Sequence, residues 1–213
     1  MDPQTEEVTD TIVCQDLLLG KGRVVNKILY LPSASKKINL IKMMIKKMGY
    51  SLNKSLGSER KWTFYIVETE SLINKHIKDL RNHLPWNIGI FLSSINVFLY
   101  SQEQWKQILN KCHIVVMSAS MYLSNLQTSV ININDANLII FDECHNALSS
   151  HPLNQIMKMF HDNDFKQSKS PFILGITSTL INTNVNDVKE HLNELQNTFN
   201  ATIQTSYKGK MSM

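Results

Sequence analysis

The chain has 213 residues, 43% hydrophobic and 19% charged, and its 22 basic and 18 acidic side chains leave a formal charge of +4. That is enough apolar material for one α/β core and excludes a disordered polyelectrolyte. The mild positive charge is compatible with a polyanionic partner without demanding one. No apolar run approaches the roughly 20 residues that span a bilayer, and the three cysteines, Cys14, Cys112 and Cys144, are too scattered for a disulfide framework. These features read as a soluble, intracellular protein with no membrane partner.

The first residues, MDPQTEEVTD, are acidic and polar and argue against a secretory signal; residues 1–11 are read as an N-terminal tail. Short apolar runs follow at 28–31 (ILYL), 63–67 (TFYIV), 88–92 (IGIFL), 114–117 (IVVM), 138–141 (LIIF) and 172–176 (FILGI). Continuous runs of this length predict strands covered on both faces, as in a parallel sheet. After the first strand, Leu40, Ile41, Met44, Ile45 and Met48 share one helical face, with Gly49 where a C-terminal cap belongs. Polar segments at 51–61 and 161–170 read as surface loops. Val185, Val188, Leu192, Leu195 and Phe199 predict a last amphipathic helix with Asn184 as its N-cap. A final strand is expected near Ala201–Tyr207, and 208–213 form a C-terminal tail. Alternating strands and helices predict a doubly wound, mostly parallel α/β sheet with helices on both faces. Its ligands would bind beyond the carboxyl ends of the strands.

The most informative stretch is Leu138-Ile139-Ile140-Phe141-Asp142-Glu143-Cys144-His145. Four apolar residues end abruptly in two carboxylates, placing Asp142 and Glu143 at the carboxyl edge of a buried strand. There one carboxylate can hold Mg²⁺ through water while its neighbour orients and deprotonates an attacking water. Asp-Glu alone is common, but D-E-C-H after an apolar strand resembles the Walker B motif of DExD/H-box helicases, and the Cys-His variant resembles the Dicer branch. Leu174-Gly175-Ile176-Thr177-Ser178-Thr179 is similar to that family's LGLTAS motif. Glu68-Thr69-Glu70-Ser71-Leu72 resembles its motif Ia, although Thr69 could equally be an ordinary helix cap. Ser118-Ala119-Ser120 stands where the family has Thr-Ala-Gln.

The resemblance, over residues 12–206, implies a RecA-like P-loop NTPase lobe, the helicase ATP-binding domain, spanning 12–207. It implies ATP and Mg²⁺ as cofactors, with Asp142 on the metal through water and Glu143 activating water. It implies Gln15 on adenine and a phosphate loop of Ser33, Ala34, Ser35, Lys36, Lys37 and Ile38. His145, Thr177 and Thr179 would lie at the nucleotide, and Thr69, Ser118 and Ser120 would contact a nucleic-acid backbone. Double-stranded RNA and RNA-silencing proteins are the implied partners, and the cytoplasm the implied compartment.

The phosphate loop departs from the pattern. The family's L-P-T-G-S-G-K-T is here Leu31-Pro32-Ser33-Ala34-Ser35-Lys36-Lys37-Ile38. Lys37 keeps the phosphate lysine, but Ala34 and Lys36 replace both glycines, which let backbone N–H groups approach phosphates closely. Ile38 replaces the threonine whose hydroxyl ligates Mg²⁺. The chain also stops at Met213, just after the expected last strand, so the reading assigns no independent helicase or nuclease activity. The expected function is a degenerate Dicer-like helicase ATP-binding domain related to RNA silencing, with room for weak ATP and RNA-backbone binding. The alternative is a non-catalytic truncated paralogue that acts as an interaction protein, or a gene fragment. A zinc site of Cys144, His145 and His151 lacks a second paired ligand set and ranks below both.

Overall fold

Strands that are apolar on both sides must be covered on both sides, and the computed structural model meets that requirement with a sheet between two helical layers. It describes residues 26–54, 60–68, 70–91, 100–148, 150–162, 170–180 and 187–205. The strands are β1 (Lys27–Tyr30), β2 (Trp62–Val67), β3 (Ile88–Phe91), β4 (Ile114–Ser118), β5 (Ala136–Asp142), β6 (Phe172–Thr177) and β7 (Thr202–Thr205). They form one seven-stranded sheet in the order β3-β4-β2-β5-β6-β1-β7. Every pairing is parallel. All carboxyl ends therefore gather at one edge, the place where sheets of this kind bind ligands.

The helices are α1 (Ala34–Met48), α2 (Glu70–His83), α3 (Gln102–Leu109), α4 (Ala119–Gln127), α5 (Pro152–Asp162) and α6 (Val188–Phe199). Strand side chains alternate between the two layers. Leu29, Tyr65, Val67, Leu138, Ile140, Leu174 and Ile176 pack beneath α1 and α2. Ile28, Phe64, Ile66, Ile139, Phe141 and Ile173 pack on the opposite face against α3, α4, α5 and α6. β5, buried along its whole length, lies at the centre of the sheet. By the same alternation Asp142 follows Leu138 and Ile140 onto the α1 side, and this decides what it meets.

One expectation is borne out and one corrected. Gly49 is the C-terminal cap of α1, its N–H donating to the Lys46 carbonyl at a right-handed φ of −70°, and the chain runs on into a 3₁₀ turn over Gly49–Asn53. Close approach demands the glycine: a Cβ there would lie 2.2 Å from Cη2 of Trp86. The last helix is capped by Asp187, whose carboxylate accepts the N–H groups of Lys189 and Glu190. Asn184 and Val185 lie outside the described residues. The buried row of α6 is His191, Leu195 and Phe199, an i, i+4 series, while Val188 is exposed.

Candidate functional site

Between the end of β1 at Tyr30 and the start of α1 at Ala34 lie only Leu31, Pro32 and Ser33. Ser33 is extended (φ −98°, ψ 124°), and its carbonyl accepts the Lys37 N–H at 3.0 Å, closing a regular first turn. Ala34, Ser35 and Lys36 are thus helical. Alanine and lysine are good helix formers where glycine is poor, so both glycine replacements favour this wound conformation over an open cradle. The Ser33 and Ser35 hydroxyls bond each other at 2.9 Å. Ile38 is half-buried against the α1 and α2 core.

One turn into α1, Lys37 reaches across the sheet edge. It is 4% exposed, and its Nζ donates to Asp142 Oδ1 at 2.8 Å and to Glu143 Oε1. Burial acts to lower its pKa, but the charges and hydrogen bonds of Asp142 and Glu143 outweigh that and raise it. Asp142 Oδ1 also accepts the Glu143 N–H at 3.0 Å, and Oδ2 accepts the Tyr65 hydroxyl at 2.9 Å. Tyr65 is fully buried on the same sheet face, and burial followed by the Asp142 charge pushes its phenol well above its ordinary range. It remains a neutral donor.

Glu143 sits where the strand breaks, in a left-handed conformation (φ 46°, ψ 48°) that opens a 3₁₀ turn over Cys144–Asn146. For a residue with a Cβ this backbone is costly and persists only where its surroundings hold it. Several donors hold it: Lys37 on Oε1, the Ser178 N–H at 3.2 Å from Oε2 and the Ser178 hydroxyl at 2.9 Å from Oε1. His145 Nδ1 lies 3.4 Å from Oε2 and 2.8 Å from the Thr177 hydroxyl, which also contacts the Thr179 backbone. Burial would raise the Glu143 pKa, but His145, Lys37 and the Ser178 N–H hold it well below the usual carboxylate range. Such a carboxylate is a weak proton acceptor, because a general base works best when tuned toward neutral pH. Cys144 points the other way, into the core beside Gly175, where a Cβ would lie 2.9 Å from its Sγ. Burial there drives its thiol pKa far up.

The sequence therefore brings Lys37, Asp142, Glu143, His145, Thr177 and Thr179 to one place. Ser118 and Ser120 stand further along the carboxyl edge, at the end of β4, with their hydroxyls 3.2 Å apart. Ser118 caps α4 by accepting the Met121 N–H, whereas Ser120 is exposed. Gln15 and Thr69 lie outside the described residues. Tyr65 and Ser178 escaped the sequence reading. Tyr65 was legible only as a strand residue sharing Asp142's face, and Ser178 as the middle of three hydroxyl residues.

The family model described as DEAD/DEAH box helicase matches residues 38–188. The chain belongs to the DEAD/DEAH box helicase family. The match begins at Ile38, so Ser33 to Lys37 of the altered phosphate loop lie outside it. Endoribonuclease Dicer-S of Xenopus laevis is 25% identical over 85% of this chain and 10% of its own length. Endoribonuclease dcr-1 of Caenorhabditis elegans is 30% identical over 89% of this chain and 10% of its own. Endoribonuclease Dicer homolog 2 of Arabidopsis thaliana is 24% identical over 96% of this chain and 16% of its own. The chain is related to the Dicer proteins and spans only a small fraction of these relatives' length. The helicase domain of Pyrococcus furiosus Hef shares its fold, with a TM-score of 0.65 at 20% identity over 96% of this chain and 38% of that one. This supports the RecA-like lobe, with seven parallel strands among the described residues.

The Mg²⁺ and ATP that the family resemblance implies fit the observed side chains poorly. The position of the metal-ligating hydroxyl is Ile38, which packs on the core. The acid pair already has a cation in Lys37, and both Asp142 oxygens accept protein donors.

Proposed function

We propose that this chain is a degenerate Dicer-type helicase ATP-binding domain, over residues 12–207, that works in cytoplasmic RNA silencing by binding rather than by ATP turnover. The observation that carries this reading is the clamp of Lys37 between Asp142 and Glu143. A lysine that should meet phosphate is held by the acids that should meet metal and water. Any ATP binding is weak, and RNA contact is limited to backbone hydrogen bonds along the carboxyl edge, from Ser120 and, by resemblance, Thr69. The same clamp favours the related reading of a non-catalytic interaction protein that engages RNA-silencing partners.

Phosphate release, measured with and without double-stranded RNA, tests the proposal. The expected result is a rate no higher than that of a Glu143→Gln control, with RNA giving no stimulation. RNA-stimulated turnover abolished by Glu143→Gln would overturn the proposal and return the chain to the active helicases.

A further inference from the structure

An acid pair at a strand end draws a cation, and this site contains one that cannot diffuse away. The Lys37 Nζ lies 2.8 Å from Asp142 Oδ1 and also donates to Glu143 Oε1. These are the oxygens that a metal or its bound waters would approach. Asp142 Oδ2 is bonded to Tyr65 at 2.9 Å, and Glu143 is further held by Ser178. Lys37 is 4% exposed and Asp142 6% exposed, so little solvent reaches the pair. Mg²⁺ gives up its waters reluctantly and demands octahedral oxygen geometry. To enter, it would have to expel a cation anchored in α1 while gaining no oxygen from Ile38.

We propose that the Lys37 ammonium is the resident cation of this site, a substitute for a divalent metal, and that Asp142 and Glu143 acquire metal affinity only when Lys37 is removed or drawn away from them. The inference builds on the reading of the site as degenerate and adds what occupies it. It also gives the eroded loop a structural logic. With Ile38 in place of a hydroxyl the metal loses a ligand, and the neighbouring lysine then supplies the charge that two partly buried carboxylates require.

Mn²⁺ binding to the full chain, followed by electron paramagnetic resonance, tests this. The wild-type protein should show no saturable site below about millimolar Mn²⁺, the range of weak oxygen-ligand sites. Lys37→Ser should create one, tighter by about tenfold or more because a positive charge beside the carboxylates is gone. Adding Asp142→Asn should abolish it. A folded Lys37→Ser protein that binds no Mn²⁺ would overturn the proposal. So would a wild-type site that is lost in Asp142→Asn. If Lys37→Ser folds only when Mn²⁺ is supplied, the proposal is supported. If it folds under neither condition, the wild-type titration decides in the same way. A wild-type protein that lacks ATP turnover yet binds Mn²⁺ through Asp142 would sink this inference alone and leave the proposed function standing.

Discussion

A lysine ammonium that is 4% exposed survives in a protein interior only if its charge is met, because removing one partner of a buried pair leaves the other uncompensated. Lys37→Met should therefore lower the unfolding free energy by about 3–5 kcal/mol in urea denaturation, despite its similar size. Tyr65→Phe should cost about 1–2 kcal/mol, since Asp142 loses one charge-assisted hydrogen bond but keeps Lys37 and the Glu143 N–H. Glu143 makes the pair acid-sensitive. Its carboxyl is held well below its ordinary value of 4.5 in the folded state, so the unfolded chain takes up the proton first. Its stabilisation is complete above that ordinary value and fades as pH falls through the folded-state value. Thermal melts should show no pH dependence from Glu143 between neutral pH and about 5, where its stabilisation is fully present, and a loss below it, less steep in Glu143→Gln. Asp142 and Glu143 were legible in the sequence because an apolar strand ends abruptly on them. The direction of Lys37 was not, because it depends on a partner 105 positions away. Tyr65 was hidden for a similar reason, since a strand tyrosine ordinarily reads as core.

At the scale of elements, the apolar runs located β1 to β6, because a strand covered by helices has little polar phase to obscure it, whereas β7, with the polar sequence Thr202–Thr205, follows no such run. The extent of helices was less legible. A first turn of Ala34-Ser35-Lys36 is a local propensity effect superimposed on a loop pattern, and the start of α6 was set by the Asp187 cap rather than by apolar spacing. The packing of β6 against the turn after β5 supplies a test of element-level fit. Gly175→Ala would place its Cβ 2.9 Å from Cys144 Sγ and 3.3 Å from Ile28 Cγ1. It should cost about 1–3 kcal/mol, the usual range for overpacking. Cys144→Ala in the same chain should return part of that loss, and a double-mutant cycle in urea should show coupling above about 0.5 kcal/mol. Strict additivity would mean that the two atoms do not share the space described.

For the whole molecule, the alternation of strands and helices predicted a parallel doubly wound sheet, but not the order β3-β4-β2-β5-β6-β1-β7. Strand order depends on which crossovers pass over which neighbours, and nothing in local periodicity encodes that. The order matters because it sets β6 between β1 and β5, so that α1, the acid pair and the Thr177–Thr179 turn converge. A site assembled from three distant segments can be silenced by altering one, and here the altered segment is the phosphate loop. The most direct measurement is a titration of a fluorescent ATP analogue with Mg²⁺ against the wild-type chain and against Ala34→Gly/Lys36→Gly/Ile38→Thr, which restores the glycines and the hydroxyl. The wild type should show little Mg²⁺-dependent binding, and the triple variant a gain of about tenfold or more, as Lys37 is released toward phosphate. Tight, Mg²⁺-dependent binding by the wild type, unchanged by the three substitutions, would contradict that expectation.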